Sequence, residues 1–373
     1  MKILITRSNP IAPDPRVEKI AKSLLSAGYS VSCLGWDRTG SLPEYEVQSG
    51  VPIVRLPISA EFGKGLGNLP QLLRWQKGLL KWLWHHRGEF DIIHACDFDT
   101  ILPALWIKLL FHKKVVYDIF DFYADHLRST PGLIISIIRK IDLWAIGKAD
   151  AVILVDDARV QQISGSRPRD LAIIYNSPVD MEIKIALPTQ ISDSFKIAYV
   201  GLLQVERGLL EMLSVLKNHP EWSLDLAGFG GDEAQILEIA SSLPNVIWHG
   251  RVNYNEAIRI STEANVLFAT YDPAIPNHKY SSPNKVFEAM MLGKPIIVAA
   301  ETNMDRIIAQ ANCGVIIPYG NIVELENAIK LLIDHPSIML EMGSNARYAY
   351  ESLYNWNLMH QRLVALYGRV LAK

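Results

Sequence analysis

Short apolar runs bounded by turn residues alternate along the chain with longer stretches whose apolar positions recur at helical spacing. In the first half the runs are Lys2–Ile5, Val31–Leu34, Pro52–Leu56, Asp91–His94, Val115–Asp118, Ala151–Val155 and Ile173–Tyr175. In the second half they are Lys196–Val200, Ser223–Ala227, Val266–Ala269, Ile296–Ala299 and Val315–Ile317. Runs this short fit buried strands better than helices. Strands separated by helical stretches build parallel sheets covered on both faces. Residues 182–194 carry neither pattern and read as a linker. The pattern therefore predicts two doubly wound, Rossmann-like α/β domains, over residues 1–182 and 195–355. A closing segment, 356–373, holds an amphipathic helix from about Trp356 to Leu371.

Composition narrows the function. The chain has 373 residues, 49% hydrophobic and 20% charged, enough for two cores. A formal net charge of -2 gives no footprint for nucleic acid. Cys33, Cys96 and Cys313 are far apart and form no metal-binding pair, so free thiols in a reducing, cytoplasmic compartment are expected. No apolar run approaches the ~20 residues of a membrane span. The chain opens directly into a strand, so no leader is expected. The first strand–helix–strand unit lacks G-x-G-x-x-G, which argues against a dehydrogenase-type cofactor site.

Tyr280–Pro295 reads as one short helix with both ends encoded. Ser282 is placed as N-cap and Pro283 at the first helical position. Gly293 supplies a left-handed C′ residue and Pro295 the stop. Helical spacing puts Val286, Phe287, Met290 and Met291 on one face and Asn284, Lys285 and Glu288 on the other. An amide, a cation and a carboxylate at a helix N-terminus suit a phosphate at the first turn and a sugar hydroxyl pair on Glu288. A solvated polar face on a surface helix would read the same way. Upstream, Gly201 and Gly208 bracket a loop in which Arg207 could grip a diphosphate.

In the first half, polar residues gather at strand ends, where such sheets collect ligands. Arg16 starts the first helix and could reach a phosphate. His94 and Asp97 close one strand. Asp118, Asp121, Asp125 and His126 crowd the end of the next. The plainer readings are a solvated arginine, a structural histidine and helix-capping carboxylates.

The stretch from Tyr280 to Pro295 resembles the PNKLFEAMALGKPVV signature of family 4 retaining glycosyltransferases, which have the GT-B fold. The resemblance covers nearly the whole chain. Asp14–Ala21 is similar to the family's DPRVEKEA entry. His94-Ala95-Cys96-Asp97 is similar to HAHD, with Cys96 in place of one His. Val116–His126 resembles YDSHELY, with Phe120 where the family has a His near the reacting sugar. Tyr175–Asp180 resembles the PNGVD turn. Gly201–Gly208 resembles the phosphate loop, with Arg207 for its Lys and Leu202 for its Arg. Val246–Val252, which includes Arg251, resembles the segment where backbone groups meet the base. Tyr280 stands where many members carry a second Glu.

The resemblance implies two domains facing a cleft, with the nucleotide-sugar on the C-terminal domain and the acceptor on the N-terminal one. The closing helix would cross back to the first domain. Glu288 would hold the ribose, and Gly201, Arg207, Arg251, Ser282, Asn284 and Lys285 the rest of the donor. Asp118 and Asp121 would supply acidic groups near the reacting sugar, with Arg16, His94, Asp97, Asp125 and His126 on the sugar or acceptor side. Transfer would retain anomeric configuration and need no metal. The nucleotide-sugar is a substrate, so no cofactor is expected. Phe120, Leu202 and Tyr280 replace polar family residues, which leaves two alternatives: a nucleotide-sugar 2-epimerase of the same fold, or a non-catalytic nucleotide-sugar-binding subunit.

Between Lys64 and Arg87 there are five Lys or Arg and no Asp or Glu, interleaved with Leu and Trp residues. Arg74, Lys77 and Lys81 share a helical face, with Leu72, Trp75, Leu79, Trp82 and Leu83 around the rest. A cationic helix of this kind suits an anionic membrane surface. It predicts peripheral attachment at the inner face of the cell membrane and a glycan or lipid-linked acceptor. The alternative is an ordinary helix packed on its sheet.

Overall fold

The computed structural model describes residues 1–61, 68–127, 130–181 and 194–372. The chain divides into two compact units, one of Met1–Tyr175 with Met359–Lys373 and one of Asn176–Leu358.

The first unit runs β1 (Lys2–Thr6), α1 (Pro15–Ser26), β2 (Ser30–Asp37), β3 (Tyr45–Gln48), β4 (Val51–Pro57), α2 (Leu69–His85), β5 (Ile92–Cys96), α3 (Phe98–Phe111), β6 (Lys114–Ile119), α4 (Gly132–Lys148), β7 (Ala151–Leu154), α5 (Arg159–Gln162) and β8 (Leu171–Ile173). Its sheet order is β3-β4-β2-β1-β5-β6-β7-β8. The pairs are parallel except β3 with β4. The strand order reverses at β1, between β2 and β5, so the carboxyl ends of β1 and β5 mark the ligand-binding edge. Helix α1 starts there. Asp14 caps it, accepting from the amides of Arg16 and Val17 at 3.2 Å each, while its own amide donates to Glu18 at 3.0 Å.

Two expectations are corrected in this unit. The last strand is Leu171–Ile173, not Ile173–Tyr175. In α2, Trp75, Leu79 and Leu83 are fully buried against the sheet. Trp75 stacks on Trp36 with centroids 5.1 Å apart and donates its indole N–H to the Asp99 carbonyl at 3.0 Å. Most of the Leu–Trp pattern that suggested a membrane helix is therefore core packing. Arg74, Lys77, Lys81, Leu73 and Trp84 remain exposed. Lys64 and Leu66 lie outside the described residues.

The second unit runs β9 (Phe195–Leu202), α6 (Leu209–Asn218), β10 (Trp222–Phe229), α7 (Glu233–Ala240), β11 (Val246–Trp248), α8 (Tyr254–Glu263), β12 (Val266–Ala269), α9 (Asn284–Met291), β13 (Ile296–Ala299), α10 (Met304–Ala311), β14 (Gly314–Ile317), α11 (Ile322–Asp334) and α12 (Pro336–Ala349). Its sheet is parallel throughout, in the order β11-β10-β9-β12-β13-β14. The order reverses at β9, between β10 and β12. Helix α9 ends as expected, with Gly293 at φ 61. Its start differs. Pro283 has ψ 149 and takes the N-cap position, so Ser282 lies outside the helix and caps nothing.

The last helix, α13, is Trp356–Ala372. From Met359 onward it belongs to the first unit. Its Tyr367 hydroxyl lies 2.8 Å from His94 Nδ1, and Arg369 donates twice to Asp170 at 2.9 Å. Among the described residues no helix is long and apolar enough to cross a membrane.

Candidate functional site

At the carboxyl edge of the second sheet, β9 ends on Gly201 and Leu202. A Cβ at Gly201 would lie 3.0 Å from Lys285 Nζ, so a side chain there would press on the lysine and shift its ammonium group. Lys285, near the start of α9, sits with its ammonium nitrogen 3.5 Å from the Tyr199 ring centroid and 5.7 Å from that of Tyr271. The nitrogen is buried and has no hydrogen-bond partner. Burial pulls the Lys285 amine well below its ordinary pKa, the nearby Arg207 charge adds to this, and Glu288 opposes it.

Arg207 lies 4.2 Å over the Tyr271 ring and donates from Nε to Gln204 at 3.1 Å. Gly208, at φ 70, follows it and leads into α6. Glu288 is hydrogen-bonded by the Tyr254 hydroxyl, whose pKa is raised by burial and by that carboxylate. Ser282 Oγ, Asn284 Oδ1 and both side-chain polar atoms of Asn277 are buried without hydrogen-bond partners. Arg251 lies exposed at the end of β11, 4.3 Å over the Phe229 ring. The second sheet edge thus brings together Gly201, Arg207, Ser282, Asn284, Lys285 and Glu288. It combines cations with unsatisfied polar atoms, an arrangement that an anionic, hydroxyl-rich ligand would complete.

The first sheet edge is organised differently. Asp118 is fully buried and accepts from Arg16 Nη2 at 2.9 Å and Nε at 3.3 Å. His94 Nε2 lies 3.3 Å from the same carboxylate. Burial alone would raise the Asp118 carboxyl, but Arg16 and His94 hold it below its usual range. Arg16 Nη1 donates to the Ile174 carbonyl at 2.9 Å. The expectation of an Arg16 guanidinium reaching a phosphate does not fit this closed network. Asp118 and His94 likewise are engaged inside the unit.

Asp97, at φ 61, accepts from the Phe120 amide at 2.8 Å and pairs with Arg7. Burial raises its carboxyl, and Arg7 opposes that shift. Phe120 serves as a platform for two guanidinium groups, with Arg7 4.0 Å and Arg16 4.9 Å from its centroid. Asp121 is half exposed and accepts from Arg159 at 2.8 Å; it caps no helix. Asp125 accepts from Gln162 at 2.6 Å and pairs with Arg139. The His126 side chain lies outside the described residues. Sequence reasoning missed Arg7, Arg159, Tyr199, Tyr254 and Tyr271. For Arg7, the signal was its place just after the first strand.

Comparison with known proteins places these geometries. Residues 12–177 match the family model described as glycosyl transferase 4-like domain, and residues 183–349 match that of glycosyl transferases group 1. An uncharacterized glycosyltransferase of Haemophilus influenzae is 23% identical over 345 residues, covering 89% of each chain. The capsular polysaccharide biosynthesis glycosyltransferase CapM of Staphylococcus aureus is 23% identical over 48% of each chain. Among solved structures, sucrose-phosphate synthase from Thermosynechococcus elongatus superposes with a TM-score of 0.79 at 17% identity, over 100% of this chain and 99% of that one. Anabaena HepE in complex with UDP-glucose gives 0.72 at 17% identity, over 99% of each chain.

Proposed function

We propose a reaction from the premise that this chain is a glycosyltransferase, a member of the glycosyl transferases group 1 with the GT-B fold. It moves a sugar from a nucleotide-sugar to a glycan or lipid-linked acceptor, with anomeric configuration retained and without a metal. The observation that carries this reading is Lys285, a buried amine with no hydrogen-bond partner, set between the Tyr199 ring and Gly201 beside Arg207.

When the bond to the anomeric carbon breaks, the leaving diphosphate gains negative charge. Groups already aimed at that charge stabilise the transition state more than the ground state. Lys285, Arg207 and the amides at the start of α9 offset this charge from the protein's own side chains and backbone. Glu288, oriented by Tyr254, would accept from the ribose hydroxyls. The exposed Phe229 ring and Arg251 offer a face for the base. On the acceptor side we assign the acidic role to Asp121, whose side chain is half exposed while those of Asp97, Asp118 and Asp125 are largely buried. HepE in complex with UDP-glucose supports a nucleotide-sugar donor, and CapM supports a polysaccharide or related acceptor. Three buried free thiols fit a cytoplasmic site of action.

A thermal-shift panel of nucleoside diphosphates and nucleotide-sugars tests the donor assignment. Ligands that bind only the folded state raise Tm. We expect one base to stand out, with the sugar conjugate at least as effective as the diphosphate. No shift with any of them would overturn the reading. Product anomeric configuration by NMR, and turnover with a chelator present, test retention and metal independence. Free epimerised sugar released without acceptor, or binding without turnover on any acceptor, would replace transfer by one of the two alternatives.

A further inference from the structure

The outward face of α4 is unusual for a helix in water. Leu133, Ile137, Ile141 and Trp144 form one stripe by helical spacing, and all four are exposed, Leu133 by 75% and Trp144 by 53%. The opposite side is also apolar, with Ala145 and Ile146 fully buried in the core. A helix apolar all round is normally covered all round. Beside it on the same sheet face, α3 exposes Trp106, Leu109 and Leu110, spaced to share one face. Both helices follow strands laid down in the same direction across the sheet, β5 to β6 to β7.

The exposed charges on α4 itself are positive. Lys140 and Lys148 fall within the α4 stripe, and the single acid of that helix, Asp142, is buried and bonded to the Tyr117 hydroxyl at 2.7 Å. Helix α2 adds Arg74, Lys77 and Lys81, all exposed. At the end of α4, Lys140, Trp144 and Lys148 line an open groove of about 450 Å³ together with Gly165, Ser166 and Arg167. Ser166 Oγ is buried there without a hydrogen-bond partner. Three cations, a hydroxyl and an indole beside an apolar stripe match the two chemistries of an anionic phospholipid, a phosphate headgroup joined to hydrocarbon. A second copy of this chain fits poorly. A two-fold contact would bring Lys140 and Lys148 against their own kind.

We propose that the α3–α4 face docks on an anionic membrane, with a lipid phosphate held by Lys140, Lys148 and Arg167 and the α4 stripe against the acyl region. The proposal rests on the lipid-linked acceptor reading for its purpose, but lipid binding is measured with no donor or acceptor present. A failed nucleotide panel and a failed lipid assay therefore point to different errors. It also moves the contact from the face of α2, whose Trp75, Leu79 and Leu83 are core residues, to a face that is exposed.

The test is co-sedimentation of the full chain with phosphatidylglycerol–phosphatidylcholine vesicles and with phosphatidylcholine alone. Wild type should bind the anionic vesicles, and binding should weaken as salt shortens the Debye length. Lys140→Glu with Lys148→Glu should lower partitioning by about tenfold or more. Ile137→Gln with Trp144→Gln should also lower it, with the thermal midpoint of each variant confirming an intact fold. Equal binding to neutral vesicles, or partitioning unchanged by the charge reversals, would overturn the proposal. So would a wild-type dimer in the ultracentrifuge that Ile137→Glu turns into a monomer, since a second copy would then cover the face.

Discussion

The two sheet edges carry similar kinds of side chain and use them in opposite ways. At the first, Arg16, Asp118, His94 and Tyr367 close on one another, Arg7 pairs with Asp97, and Arg159 with Asp121. At the second, Lys285 Nζ, Asn284 Oδ1, Ser282 Oγ and the Asn277 amide are buried with hydrogen-bonding capacity unused; at the first, the unused Arg7 Nε and Arg159 Nε belong to guanidinium groups already ion-paired with carboxylates. Unsatisfied buried polar atoms cost stability, and a ligand that bonded them would recover that cost. The paired edge maintains its own shape. The second edge keeps polar capacity that a ligand would satisfy.

The largest effect should come from breaking a pair on the first edge. Asp118→Ala strips Arg16 of its buried partner, and removing one member of a buried pair costs roughly 3–5 kcal/mol. Urea unfolding should show the first unit melting early while nucleoside diphosphate still stabilises the second. An unchanged profile would mean the network does not order that edge. On the second edge the same logic reverses sign. Lys285→Met removes a buried amine that lacks a hydrogen bond, so Tm should hold or rise while turnover falls about 10²–10³-fold, as for loss of one charge-stabilising donor. A variant that loses stability instead would show that Lys285 is structural.

Lys285 also links binding to pH. Its folded-state pKa is depressed, so between that value and the ordinary lysine range the unfolded chain binds a proton that the folded chain lacks, and stability rises with pH across that window. An arriving diphosphate favours the charged form and raises that pKa, so binding takes up a proton and weakens as pH rises. Titration calorimetry in buffers of different ionisation enthalpy should register the uptake in wild type and lose it in Lys285→Met.

Smaller effects should sharpen the contrast. Glu288→Ala removes a charged acceptor and strands the Tyr254 hydroxyl, so nucleotide affinity should drop by about 1.5–3 kcal/mol, with Glu288→Gln milder. Unchanged affinity would take the ribose away from Glu288. Asp121→Asn should change stability least, because the Asp121 end of its pair is half exposed, Asn can still accept from Arg159, and Arg159 keeps its bond to Gln162. Turnover should nevertheless fall while nucleotide binding holds. Full activity would leave Asp121 with a structural role, as a partner of Arg159.

The strands were legible where burial made them continuous. Val266–Ala269 and Ile296–Ala299 are apolar runs between turn residues, and the observed bounds coincide with them. Strand β3 was missed because Tyr45, Glu46, Val47 and Gln48 line a sheet edge with no buried residue among them. Ser282 was misread as a cap because a proline can open a helix or precede one, and only the backbone angle of Pro283 decides. The polar face of α9 was legible from spacing. Its aromatic surroundings were not, because Tyr199, Tyr254 and Tyr271 arrive from three other segments and sequence separation hides such neighbours. Arg16 and Asp118 were read as separate site residues for the same reason. Their pairing spans 102 positions.

The return of α13 has a consequence for how the protein is made. Most of the first unit precedes the second along the chain, yet Tyr367, the partner of His94, follows the second unit. Domains tend to fold as they emerge, at about 5–20 residues per second. The whole second unit is therefore synthesised while the first still lacks a helix from its core. A translational stop or frameshift late in α13 would leave every residue of the second unit in place and damage the first.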